Sequence, residues 1–130
     1  MHEKTILVID DEKDLGETVR MMLEVAGGYR VVTAFNGKDG IKKAYMLKPD
    51  LILLDISMPG MDGFTALKIL KENSATMAIP VVMLTACGDD VFKLKASQLY
   101  DEDYLVKPVK TDELIERVAK VLKRRRAGGR

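Results

Sequence analysis

A doubly wound α/β fold is predicted by three features of the sequence. Short apolar runs alternate five times with longer amphipathic segments, two of the runs are apolar at every position, and turn residues punctuate the alternation. The first run, Ile6-Leu7-Val8-Ile9, reads as a strand and is followed by a helical segment over about 14–25. Val31-Val32-Thr33 forms the second strand, which Asn36-Gly37 ends before a helix over 37–47. Lys48-Pro49-Asp50 closes that helix, and the third strand, Leu51-Ile52-Leu53-Leu54, begins. A third helix is expected over 64–71. Ile79-Pro80 then opens the fourth strand, Val81-Val82-Met83-Leu84, at a position that tolerates a missing N–H. A fourth helix over 89–99 leads to a fifth strand, Tyr104-Leu105-Val106. The last helix, over 112–125, sets Leu114, Ile115, Val118, Val121 and Leu122 on one stripe, as suits a helix laid on a sheet. Because the third and fourth runs lack alternation, both faces of their sheet should be covered, which is the habit of parallel strands between helix layers. Five parallel strands with five helices on both faces are expected.

The chain of 130 residues fits one domain and is long enough to bury a core without disulfides or metals. With 47% hydrophobic and 32% charged residues it falls outside the disordered and collagen-like classes. Its apolar runs are far shorter than the roughly 20 residues of a membrane-spanning helix, and its start lacks the pattern of a signal peptide. A single cysteine, Cys87, fits a reducing compartment, so a cytoplasmic location is expected. The formal net charge of +1 conceals a division along the chain: residues 120–130 hold six basic residues and no acid, leaving 15 basic against 20 acidic residues before them. Residues 1–123 are taken as the domain and 124–130 as a basic flexible tail or linker. A mildly acidic body with its cations gathered at one end does not suit direct nucleic-acid binding. Met21, Met22 and Met83 fall in the apolar pattern and are expected to fill core space.

Ligands of open parallel sheets bind outside the carboxyl ends of the strands. Four of the five ends carry polar residues: Asp10-Asp11-Glu12 after the first strand, Asp55 after the third, Thr85 after the fourth and Lys107 after the fifth. Carboxylates gathered in one shallow site repel each other unless a cation joins them, and an all-oxygen set suits Mg²⁺, which also shares phosphate oxygens. Lys107 would neutralise a transferring phosphoryl group, the Thr85 hydroxyl would bond one of its oxygens, and Asp55 is placed to attack as nucleophile.

These residues resemble the receiver domain of two-component response regulators, the chemotaxis-regulator-like group of flavodoxin-like folds. The resemblance rests on Ile6 to Glu12, on Asp50 to Gly63 with its Asp55-Ile56-Ser57-Met58-Pro59-Gly60 core, on Pro80 to Ala86, and on Asp103-Tyr104-Leu105-Val106-Lys107-Pro108. It implies the strand order 2-1-3-4-5 and a cis Lys107-Pro108 bond. It implies Asp55 as the acceptor of a phosphoryl group from a sensor histidine kinase or phosphotransfer protein. Asp10, Asp11, Asp55 and the Ser57 backbone carbonyl would hold Mg²⁺, Thr85 and Lys107 would bind the phosphoryl oxygens, and Tyr104 would swing inward with Thr85. The output face would be the fourth helix, fifth strand and fifth helix, which would signal to an effector protein or output domain or form a phosphorylation-dependent homodimer. Two departures stand out: Leu99-Tyr100 where the family often has Gly-Ala, and Val109 where phenylalanine is common.

Three other readings compete. An aspartate-nucleophile phosphohydrolase would carry a second acid two residues after Asp55, where Ser57 stands. A flavin module would need a hydroxyl- and glycine-rich phosphate loop where Asp10-Asp11-Glu12 would repel phosphate. The closer alternative is a phosphorylation-independent pseudo-receiver that serves as an interaction module. The expected protein is no independent enzyme; it catalyses only its own phosphotransfer and dephosphorylation, either as a stand-alone regulator or as part of a longer protein.

Overall fold

The computed structural model describes residues 3–86 and 103–128. Among them lie five strands, β1 (Thr5–Ile9), β2 (Arg30–Ala34), β3 (Leu51–Asp55), β4 (Val81–Thr85) and β5 (Asp103–Val106). Four helices accompany them: α1 (Lys13–Gly27), α2 (Gly37–Leu47), α3 (Gly63–Glu72) and α4 (Thr111–Gly128). The strands form one parallel sheet in the order β2-β1-β3-β4-β5. The helix expected over 89–99, Cys87 and the 99–100 departure lie outside the described residues. The helix expected over 112–125 is α4, which continues through Gly128 into the segment set aside as a tail.

Side chains alternate across a strand, so a sheet covered on both sides divides its apolar residues into two cores. Leu7, Ile9, Ile52, Leu54, Val81 and Met83 meet Ala44, Ala66, Leu67 and Leu70 of α2 and α3. Ile6, Val8, Leu51, Leu53, Val82 and Leu84 face the other way, against Val19 and Leu23 of α1 and Leu114, Val118 and Val121 of α4. All five residues of β3 and of β4 are buried: the unbroken apolar runs 51–54 and 81–84 as their character predicts, and the polar Asp55 and Thr85 at their ends with them. Each fully buried aliphatic side chain of this kind contributes about 1.5–3 kcal/mol. Val109, at the departure after Lys107-Pro108, packs partly buried on the second core. The methionine expectation divides: Met83 is buried and Met22 half-buried, but Met21 is 60% exposed, because the inner stripe of α1 runs through Gly16, Val19 and Leu23 and turns Met21 outward.

Local chemistry ends the helices where the sequence changes. Asn36 caps α2 by accepting from the Asp39 N–H at 2.7 Å, and Asp62 caps α3 by accepting from the Thr65 N–H at 2.8 Å. Gly28, at φ 70°, ends α1 in a left-handed conformation that a side chain would strain. The α3 start is packed tightest: its Gly63 N–H donates to the Ile56 carbonyl at 2.8 Å, and a Cβ at Gly63 would lie 2.4 Å from the Asp55 carbonyl oxygen.

Gly63→Ala should destabilise the fold by about 1–3 kcal/mol, since backbone on both sides must shift. Leu53→Ala, which empties space in the middle of the sheet, should cost about 2–5 kcal/mol. Urea denaturation followed by circular dichroism measures both.

Candidate functional site

The strand order makes neighbours of β1, β3, β4 and β5, and the site gathers at their C-terminal ends. From β1 the chain moves outward to β2 and then crosses back over β1 to β3 on its other side, so the strand order reverses here and this edge contains the crevice where α/β sheets bind ligands. Asp10 follows β1 directly, and its N–H donates to the Ala34 carbonyl of β2 at 3.0 Å. Asp55 ends β3 opposite Leu84 and is 2% exposed. Thr85 ends β4 and is fully buried. Lys107 follows β5, and its backbone N–H donates to the Thr85 carbonyl at 2.7 Å. The Lys107-Pro108 peptide is cis.

Lys107 is the centre of the charge arrangement. Its Nζ lies 3.1 Å from Asp55 Oδ1, where it donates a hydrogen bond, 3.5 Å from Asp10 Oδ2 and 3.9 Å from Glu12 Oε1. Burial works against the ammonium charge, yet the surrounding carboxylates, Asp55 first, outweigh it and hold the Lys107 pKa above the ordinary lysine value. The Asp55 pKa is also pushed up, to about 6, which for a carboxyl disfavours the charged form. Burial is the main cause and repulsion from Asp10 adds to it, while Lys107 and the Ser57 backbone N–H partly offset the rise.

One ammonium leaves this cluster under-neutralised. Asp10 and its neighbours Asp11 and Asp55 each bring a carboxylate oxygen within 4.8 Å of the others. Asp10 Oδ1 accepts from the Glu12 N–H at 3.0 Å, but Asp10 Oδ2 is buried with no hydrogen-bond partner. A buried anionic oxygen without a donor is costly. Three convergent carboxylates with one unsatisfied oxygen fit a hard divalent cation of the Mg²⁺ type, which takes oxygen ligands only.

The sequence-predicted residues Asp10, Asp11, Asp55, Thr85 and Lys107 thus come to one end of the sheet. Ser57 lies exposed in the loop after β3, and its backbone N–H bonds Asp55. Tyr104 is half-buried on β5 and packs against the core on the α2–α3 side, while its carbonyl accepts from Arg117 at 2.7 Å. Sequence reasoning gave Glu12 no role toward Lys107. The adjacency of a third acid to Asp10-Asp11 was the available signal, but it does not reveal which way a loop side chain reaches. Gly63 was equally undistinguished, because close backbone approach leaves no mark in a single sequence.

The family model for the response regulator receiver domain matches residues 6–119. The chain is 41% identical over 119 residues to the DNA-binding dual master transcriptional regulator RpaA of Synechocystis, covering 92% of this chain and 49% of that protein. Its fold is similar to the N-terminal domain of a response regulator receiver protein from Methanoculleus marisnigri, at TM-score 0.70 and 41% identity over 91% of this chain and 95% of that one. It is likewise similar to the receiver domain of the Francisella response regulator 1452, at TM-score 0.82 and 33% identity over 94% and 98% of the two chains. The chain spans about half the length of the curated relatives it matches. Among the described residues no helix is long and apolar enough to cross a membrane. With the matched model spanning most of the sequence and the acidic site at the expected strand ends, the chain belongs to the response regulator receiver domain family of two-component systems.

Proposed function

We propose that this receiver accepts a phosphoryl group on Asp55 from a phosphohistidine of a sensor histidine kinase or phosphotransfer protein, in a Mg²⁺-dependent reaction. The observation that carries this reading is a buried carboxylate at the end of β3 with an ammonium at 3.1 Å and two further acids beside it. An Asp55 oxygen attacks phosphorus, the P–N bond to the imidazole breaks, and a P–O bond forms to give an acyl phosphate. In the reverse direction of control, water attacks that phosphorus, inorganic phosphate leaves and the Asp55 carboxylate returns.

Asp10, Asp11, Asp55 and the Ser57 carbonyl would hold Mg²⁺, which supplies positive charge to the phosphoryl oxygens during transfer. Lys107 binds a second phosphoryl oxygen and Thr85 Oγ1 donates to a third, neutralising charge where it develops. An ordinary aspartate carboxylate is a weak base; with its pKa raised to about 6, Asp55 is still mostly ionised above pH 7 and is the more basic nucleophile for it. The added charge of about −1.5 to −2 rewards conformers that bring Thr85 and Lys107 inward. Tyr104 follows Thr85, and the face around β5 and α4 carries the change to an effector protein, an output domain or a second copy. The domain handles no independent substrate and does not itself bind nucleic acid, works in the cytoplasm, and comprises residues 1–123 with a basic tail or linker after them.

Incubation with acetyl phosphate and Mg²⁺ should add one phosphoryl group by intact mass, with none added without Mg²⁺ or in Asp55→Asn. Failure to label beside a control receiver that labels would favour the pseudo-receiver reading. Tyr104→Ala should label normally and lose the phosphorylation-dependent change in self-association seen by light scattering.

The raised Asp55 pKa also sets a stability trend. The folded state binds this proton more tightly than the unfolded chain, whose carboxylate titrates near 3.9, so the destabilising charge is fully present above about pH 6 and is relieved toward pH 4. Metal-free Asp55→Asn should therefore melt above the wild type at pH 7.5, with the difference shrinking as pH falls through that window. Mg²⁺ should raise the wild-type Tm and raise that of Asp55→Asn less.

A further inference from the structure

Helix α2 is packed against the usual rule for an amphipathic helix. Its buried residues are Gly37, Gly40 and Ala44, small side chains that let the helix lie close on the sheet. A Cβ at Gly40 would meet Ile9 Cδ1 at 2.5 Å, so the approach depends on glycine there. The large apolar residues of the last turn are instead turned outward: Tyr45 is 55%, Met46 68% and Leu47 52% exposed. They contribute little to the fold, and an aromatic and a methionine standing out together are what the cores of protein interfaces use.

The charge on α2 that is left without an ion-pair partner among the described residues is positive. Lys38, Lys42, Tyr45 and Met46 follow one another at helical spacing along the outer face, and Lys48 caps the end. Asp39 is engaged with Lys43 at 3.2 Å, while Lys38, Lys42 and Lys48 have no acidic partner among the described residues. On the neighbouring α3, exposed Lys68 is likewise unpaired. This is a cationic rim beside an apolar spot, on a body whose residues 1–119 carry more acid than base.

We propose that the outer face of α2 is a docking surface for an acidic amphipathic helix of a partner protein. Apolar side chains of the partner would cover Tyr45, Met46 and Leu47, and its flanking carboxylates would meet Lys38, Lys42 and Lys48. Opposite charges steer the encounter and set the orientation, while the apolar turn supplies the contact area. The surface is separate from the acidic site, so it stands whether or not Asp55 is phosphorylated.

The probe is a synthetic helical peptide with leucines at i, i+3, i+4 and i+7 flanked by glutamates, added to the full ¹⁵N-labelled chain while amide shifts are followed. Saturable shifts centred on residues 38–48 are expected, absent with a scrambled peptide of the same composition. Tyr45→Ser with Met46→Ser, and separately Lys38→Glu with Lys42→Glu, should each weaken binding by about tenfold or more. Both pairs should leave acetyl phosphate labelling of Asp55 unchanged, which separates this surface from the phosphorylation reading. The proposal is overturned if the shifts fall elsewhere, if the scrambled peptide binds equally, or if both variant pairs bind as the parent does. It is also overturned if the peptide fails to bind; perturbation of the same residues by vesicles of phosphatidylcholine and phosphatidylglycerol, or by a second copy of the chain, would then identify the other occupant.

Discussion

The functional end of this domain depends on one ammonium group set among carboxylates. Lys107 reaches Asp55, Asp10 and Glu12 at once, and no other cation among the described residues pairs with those acids. The arrangement is under-neutralised: Asp10 Oδ2 stays buried with Lys107 at 3.5 Å but no hydrogen bond, and Asp55 holds its proton more tightly than an ordinary carboxylate. Such a site gives up folding stability for affinity toward positive charge and toward a group that needs it, which is the trade expected where binding is the purpose.

The rest of the fold serves to hold that imbalance in place. Asp10 and Asp55 are fixed because the strands that carry them are buried on both faces, and the backbone at each end is hydrogen-bonded across to its neighbour. The Lys107 N–H bond to the Thr85 carbonyl joins the two residues proposed to bind the phosphoryl oxygens, so a shift of one backbone pulls on the other. A local change at the site therefore has a direct mechanical route into β5, where Tyr104 sits between the core and the surface.

Most of the fold was legible because it follows from period. Unbroken apolar runs at 51–54 and 81–84 could be satisfied only between two helix layers, and the stripe through Leu114, Val118 and Val121 selected the inner face of α4. The positions of Asp10, Asp11, Asp55, Thr85 and Lys107 followed from strand ends, since a parallel sheet aligns them. Strand order came from the family resemblance, because alternation alone does not rank five parallel strands. What escaped were features set by close approach. Met21 has the apolar character of a core residue, but α1 meets the sheet through Gly16, Val19 and Leu23, and Met21 is left outside. Tyr45 and Met46 are exposed for the same reason, since glycine and alanine occupy the inner side of α2. Periodicity marks which residues share a face, and the size of the side chains decides how near that face can come.

The bond from the Gly63 N–H to the Ile56 carbonyl closes the segment between β3 and α3 into a loop whose two ends touch. Residues 57–62 hang from a fixed neck, and Asp55 is anchored on the strand side of it. For a loop with its ends already held, doubling the length costs only about 0.6 kcal/mol in closure entropy. Changes of length at the exposed tip, Pro59 and Gly60, are therefore cheap for the backbone of Asp55, whereas Met58 is buried in the core and the Ser57 backbone bonds Asp55, so the first turn of the loop is held to the strand end.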